Sequence, residues 1–89
     1  MGETARVLMY CTRICPYCTM ADQLLERKGV KAEKIHVDEL PEQRVEMVRI
    51  TGRTTVPQIF IGQTHVGGFT DLAELDRSGK LDALLGSRS

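Results

Sequence analysis

Apolar positions recur at two different spacings along the chain, and their alternation predicts its elements. Residues 6–10 (Arg-Val-Leu-Met-Tyr) form a short apolar run of the kind carried by a strand buried on both faces. From Tyr17 the spacing changes, and Tyr17, Met20, Ala21, Leu24 and Leu25 fall on one face of a helix. That helix opens at Pro16, where a missing N–H costs nothing, and stops at Lys28-Gly29, a cation in the last turn followed by a glycine cap. Residues 31–37 alternate weakly and read as a second strand, parallel to the first because a helix lies between them. Pro41 opens a second helix, with Val45 and Val48 turned inward together with Met47 and Ile50, and Gly52 ends it. Residues 57–61 and 64–66 flank Gly62-Gln63, a two-residue hairpin turn with glycine first, as type II′ prefers. After Gly67-Gly68, a last helical region carries Leu72, Leu75, Leu81, Leu84 and Leu85 on its apolar side, with a break at Gly79. Residues 86–89 form a polar tail expected to fray.

The order β-α-β-α-β-β-α predicts an α/β fold in which a four-stranded mixed sheet is covered by helices on both faces. Eighty-nine residues suffice for one domain, 1–89, with a core over about 6–85. The chain is 42% hydrophobic and 27% charged with a net charge of +0, so no basic excess points to nucleic acid. No apolar stretch reaches the roughly 20 residues that cross a bilayer, and residues 1–6 lack the pattern of a signal peptide. The expected compartment is the cytoplasm, where structural disulfides rarely persist. All 3 cysteines fall between positions 11 and 18, which is no disulfide framework; they are expected to be reactive or metal-binding.

Cys15 and Cys18 sit three positions apart at a predicted strand-to-helix junction, at the end of the sheet where open α/β folds place their ligands. Pro16 at the first helical position makes Cys15 the N-cap and Cys18 the third helical residue. A free cysteine, with a pKa of about 8.5, is only about 3% thiolate at pH 7. The unpaired N–H groups and dipole of the helix start favour the anion at Cys15, and Arg13 is expected to add to the effect. Cys15 is therefore the expected nucleophile, with Cys18, one turn in, as the buried resolving thiol. A drop of about three units raises the thiolate fraction about 30-fold but lowers intrinsic nucleophilicity about 15- to 30-fold. The larger benefit of acidity is that Cys15 leaves readily from a mixed disulfide.

Other readings of the cysteines are weaker. A zinc site needs four ligands, and no second CxxC accompanies His36 and His65, which stand alone. Cys11, Cys15 and Cys18 spell the CxxxCxxC spacing of radical enzymes that cleave S-adenosylmethionine, but 89 residues cannot build their barrel. Cys11 is expected to be a bystander in the loop after the first strand, where its exposure would leave it oxidisable.

Three motifs occur together over residues 6–85: Cys15-Pro16-Tyr17-Cys18, the segment 52–61 (Gly-Arg-Thr-Thr-Val-Pro-Gln-Ile-Phe-Ile), and Gly67-Gly68 followed by Asp71-Leu72. With them the chain resembles the dithiol glutaredoxins of small bacterial type, which have the thioredoxin fold. The resemblance implies an enzyme that uses glutathione to reduce protein disulfides and protein–glutathione mixed disulfides, and so donates electrons in cell redox homeostasis. It implies Cys15 and Cys18 as catalytic residues, and a glutathione site drawn from Arg13, Tyr17, Arg44, Thr55, Val56, Pro57, Gly68, Phe69, Thr70 and Asp71. In that site Pro57 is cis, and Val56 offers its backbone to the ligand's cysteinyl unit as one more strand would. Phe69 and Thr70 N–H groups meet a carboxylate at the helix start, and Asp71 meets the ammonium; alternatively Asp71 and Glu74 form a capping box. Arg44 aligns with the position that meets the glycine carboxylate, while the family's lysine is replaced by Thr12, leaving Arg13 or Arg53 to supply the second cation. No metal is implied. The expected partners are glutathione and disulfide-containing or glutathionylated proteins, ribonucleotide reductase among the candidates, acting on a monomer. Two alternatives stay open: a module holding a [2Fe–2S] cluster through Cys15 and glutathione, crowded by Pro16 and Tyr17, and a donor reduced by thioredoxin reductase, which needs no glutathione cradle.

Overall fold

The computed structural model describes residues 6–86. Its elements run β1 (Val7–Cys11), α1 (Pro16–Arg27), β2 (Glu33–His36), α2 (Pro41–Thr51), β3 (Gln58–Ile61), β4 (Thr64–Gly67), α3 (Phe69–Ser78) and α4 (Lys80–Leu85). The four strands form one mixed sheet in the order β2-β1-β3-β4, with β1 parallel to β2 and antiparallel to β3. The parallel pair follows from the α1 crossover, and the antiparallel pair β3–β4 from the tight turn at Gly62-Gln63. Gly62 takes φ +61 while Gln63 stays out of the left-handed region, as a type II′ turn requires.

β1 is the axis of the core. Val7, Met9 and Cys11 point to one face of the sheet, where Ala21, Leu24 and Leu25 of α1 and Leu72, Leu81 and Leu85 of α3 and α4 pack against them. Tyr10 points to the other face and packs with Val37 and Met47, its ring edge-on to Phe60 at 6.1 Å. The first face carries three helices and the second only α2, which explains a departure from the expected packing. Val45 is 70% exposed and Ile50 also faces solvent, and Met47 is the buried residue of α2. A helix lying alone on a short sheet needs only a narrow stripe. On α1, Tyr17 and Met20 likewise lie outside the buried stripe, which Cys18 joins instead.

Gly79 divides the last helical region into two helices; its φ of +82 turns the chain between them. Lys28 fastens this corner to α1, its ammonium 2.8 Å from Asp76 and 3.2 Å from Asp82. Gly86 caps α4, and the remainder of the expected frayed tail lies outside the described residues, as do residues 1–5.

Candidate active site

The end of β1 and the start of α1 bring three thiols together. Cys15 is the N-cap of α1 in an extended conformation, Pro16 follows it, and the Cys18 N–H donates to Cys15 Sγ at 3.2 Å. The sulfur thus occupies the place of a capping side chain, beside the N–H groups that the first turn leaves unpaired. Cys18, one turn on, is 7% exposed, whereas Cys15 is half-buried. Cys11 departs from its expectation: it is the last residue of β1, only 2% exposed, and lines the same cleft as Cys15 and Cys18. β1 runs one residue further than the apolar run suggests, which turns Cys11 onto the same buried face as Val7 and Met9.

These contacts order the thiols. The neighbouring Cys11 thiol first, and then burial, push the Cys18 pKa far up. At Cys15, burial first and the Cys18 thiol second raise the pKa, against the Cys18 N–H and the Thr12 hydroxyl, which lower it. Burial thus opposes the helix start from which an acidic Cys15 is expected, and the site makes Cys15 easier to ionise than Cys18. Arg13 does not help, because its guanidinium lies 3.3 Å from Glu39 and its backbone N–H donates to Asp38.

A groove beside the dithiol gathers most of the other sequence candidates: Tyr17, Thr55, Val56, Pro57, Gly68, Phe69, Thr70 and Asp71 line it together. The Val56–Pro57 peptide bond is cis. Tyr17, two residues from Cys15 on α1, stacks on Phe69 across this groove at 6.4 Å between ring centroids. Asp71 sits at the third position of α3 and accepts the Gly68 N–H at 3.0 Å, so it reaches back over its own helix start. Glu74 is not its capping partner but pairs with Arg77. Gly67, at φ +115, lies so close that a Cβ there would overlap the Asp71 carboxylate. Arg44 stands apart from the groove lining and donates to the Thr54 carbonyl at 3.2 Å, beside the loop that enters it.

Two further residues support the groove: Arg53, expected as a candidate for the second cation, and Gln58, not singled out from the sequence. Arg53 lies 3.3 Å from Asp71, at the ammonium end of the expected site rather than the glycine end. Gln58, 1% exposed, donates to the Thr55 carbonyl at 3.0 Å and meets His65 Nε2 at 2.7 Å through its own oxygen, bracing the loop from below. A buried polar residue at the start of a strand was the available signal, since such a group must find partners.

Comparison with known proteins agrees with this geometry. The family model described as Glutaredoxin matches residues 7–66. A glutaredoxin of Pseudomonas aeruginosa is 60% identical over 79 residues, covering 89% of this chain and 94% of its own. The solution structure of a glutaredoxin from Brucella melitensis is 48% identical with a TM-score of 0.84, covering 97% of this chain and 94% of its own. The crystal structure of a buckwheat glutaredoxin–glutathione complex is 28% identical, also with a TM-score of 0.84, covering 91% of this chain and 76% of its own.

Proposed function

The chain belongs to the glutaredoxin family and is a glutathione-dependent thiol–disulfide oxidoreductase, and we propose that Cys15 is its nucleophile and Cys18 its resolving thiol. The asymmetry of the pair carries this assignment. Cys15 is half-buried at the helix N-cap, while Cys18 is buried and holds its proton far more tightly. Of the two, only Cys15 can meet a substrate as large as a peptide. Ile14 and Tyr17, both exposed, flank it with apolar surface suited to a protein substrate.

The Cys15 thiolate attacks a glutathionylated protein at the glutathione sulfur, expelling the protein thiolate and leaving glutathione on Cys15. A second glutathione attacks Cys15–S–S–glutathione, releasing glutathione disulfide and regenerating the Cys15 thiolate, so Cys18 takes no part. With a protein disulfide, Cys15 forms an enzyme–protein adduct that Cys18 resolves. The resulting Cys15–Cys18 disulfide is then reduced by two glutathiones.

The groove is assigned to glutathione, the ligand of the buckwheat relative. The Val56 backbone pairs with the cysteinyl unit as an added strand, the N–H groups of Phe69 and Thr70 take the γ-glutamyl carboxylate, and Asp71 takes its ammonium. Arg44 takes the glycine carboxylate from beside Thr54, a role for which Arg13, engaged with Glu39, is poorly placed. Residues 1–89 act as one domain and as a monomer, on disulfide-containing and glutathionylated proteins such as ribonucleotide reductase. No helix among the described residues is long and apolar enough to cross a membrane. We place the enzyme in the cytoplasm, where reduced thiols persist.

The test compares turnover of a small disulfide with glutathione and its reductase against turnover with thioredoxin reductase. Glutathione is the expected reductant. Cys18→Ser keeps deglutathionylation and loses most protein-disulfide reduction, and Cys15→Ser loses both. Full activity of Cys15→Ser in the glutathione-coupled assay sinks the assignment.

A further inference from the structure

The cycle above leaves one sulfur unused. Cys11 ends β1 and lines a cleft together with Cys15 and Cys18, on the side of α1 where Asp22, Lys34 and His36 also open. Cys11 and Cys18 belong to one buried cluster with Cys15 packed against it, and the Cys18 N–H donates to Cys15 Sγ at 3.2 Å. Cys18 is the middle of the three in burial, 7% exposed between Cys11 at 2% and the half-buried Cys15. Thiol–disulfide exchange at one sulfur of a disulfide needs an attacking thiol on one side and a leaving thiol on the other.

We propose that Cys11 is a third redox-active thiol, which attacks the Cys15–Cys18 disulfide at Cys18 and returns Cys15 as a free thiol; the proposal rests on the dithiol reading above. The exchange balances within the chain. The Cys11 thiolate forms a bond to Cys18 Sγ as the Cys15–Cys18 bond breaks, and the electron pair of the broken bond leaves on Cys15. Cys11 is oxidised and Cys15 is reduced. The proton lost by Cys11 is regained at Cys15 through solvent in the cleft, and no outside oxidant is consumed.

Three observations favour this direction. Attack at Cys18 expels Cys15, whose pKa lies below that of Cys18 and which is the better leaving group. The Lys34 ammonium, held 3.0 Å from Asp22 beside the cleft, favours the Cys11 thiolate. Cys11, 2% exposed, is shielded from outside disulfides, so its oxidation runs through Cys18. The consequence is an oxidised chain that keeps a working nucleophile: Cys15 can take a second glutathione adduct while the first disulfide is held between two buried sulfurs.

Arg13, between Cys11 and Cys15, makes the test direct. The whole protein is oxidised with glutathione disulfide, quenched in acid, blocked with N-ethylmaleimide and cut with trypsin, which separates residues 7–13 from 14–27. A Cys15–Cys18 disulfide stays inside 14–27, whereas a Cys11–Cys18 disulfide joins the two peptides and leaves Cys15 blocked. The expected result is the joined pair, with Cys15 blocked, in about one-tenth or more of the oxidised protein, which puts the two disulfides within about 1.4 kcal/mol. The pair is expected to vanish in Cys18→Ser, and equally in Cys11→Ser and Cys11→Ala. A joined pair that persists in Cys18→Ser is a Cys11–Cys15 bond and overturns the exchange. Wild-type protein with Cys11 wholly blocked and the disulfide inside 14–27 also overturns it but leaves the dithiol cycle standing. Wild type with none of these disulfides overturns both.

Discussion

Two concavities flank the start of α1, and they are built in opposite ways. The groove lined by Tyr17, Val56, Pro57 and Gly68 has no thiol among its lining residues and is assembled from three separate segments. The cleft on the other side contains all three thiols and is edged by the side chains of Asp22, Lys34 and His36. Their volumes are similar, about 170 and 210 Å³, so size does not separate them. Chemistry does. The groove offers N–H groups and a carboxylate, which suit a peptide-like ligand, and the cleft offers sulfurs with charges beside them. With the groove assigned to glutathione as proposed, the difference teaches that recognition and redox chemistry are divided between two faces of one helix start, joined by Cys15 and Tyr17 two residues apart.

The strongest way to break this division is to damage the groove alone. Gly67→Ala places a Cβ against the Asp71 carboxylate at a backbone angle, φ +115, that side chains rarely adopt. The expected cost is about 1–3 kcal/mol of stability in urea unfolding. The KM for a glutathionylated substrate should rise with it, while Cys15 and Cys18 still oxidise to a disulfide. An unchanged KM in the folded variant removes this end of the groove from glutathione binding.

Asp71→Asn is milder. The amide oxygen can still accept the Gly68 N–H, but the charge facing Arg53 and the ligand ammonium is gone. Loss of one charge-assisted contact, about 1.5–3 kcal/mol, predicts a rise in KM of roughly tenfold or more with kcat nearly kept. The same change on the other side, Asp22→Asn, removes the partner of Lys34 but should leave that KM unmoved. Equal rises in KM for the two variants would abolish the distinction between groove and cleft.

The groove was far more legible in the sequence than the cleft, for physical reasons. Its parts announce themselves through backbone rules: a proline entering a strand, a glycine pair before a helix, an acidic residue in the first turn. The N-cap role of Cys15 was legible on the same grounds, with Pro16 fixing the register of α1. Cys11 was misjudged because an apolar run does not say where a strand stops. One more step of the alternation Val7, Met9, Cys11 would have buried it. Arg13 is close to Cys15 in sequence, yet the fold brings Glu39 to it from the far side of β2, a tertiary pairing that no local pattern encodes. The forces that oppose ionisation at Cys15 were hidden in a related way, because the helix start can be counted from the sequence but burial and a neighbouring thiol cannot. In α2, Val45, Met47, Val48 and Ile50 spread around the helix, so spacing alone could not choose the face that Met47 fixes.

The smallest effect expected is a pH dependence that belongs to the groove side only. His65 is half-buried beneath the groove and linked through Gln58 to the Thr55 carbonyl. Burial first, and then the Arg53 charge, hold its pKa below the ordinary 6.5, with Asp71 pulling weakly the other way. Below about pH 6.5 the unfolded chain takes up this proton more readily than the folded one. Stability is therefore full above that pH, declines as the pH falls towards the folded pKa, and gains no further slope from His65 beneath it. Urea midpoints between pH 7.5 and 5 should show a shallow decline that His65→Gln flattens, since Gln can keep a hydrogen bond to Gln58 without titrating. Cys11→Ser, on the cleft side, should keep the wild-type decline, because it leaves His65, Gln58 and the Thr55 carbonyl untouched. A decline that survives His65→Gln unchanged would mean that the brace beneath the groove does not titrate as its surroundings require.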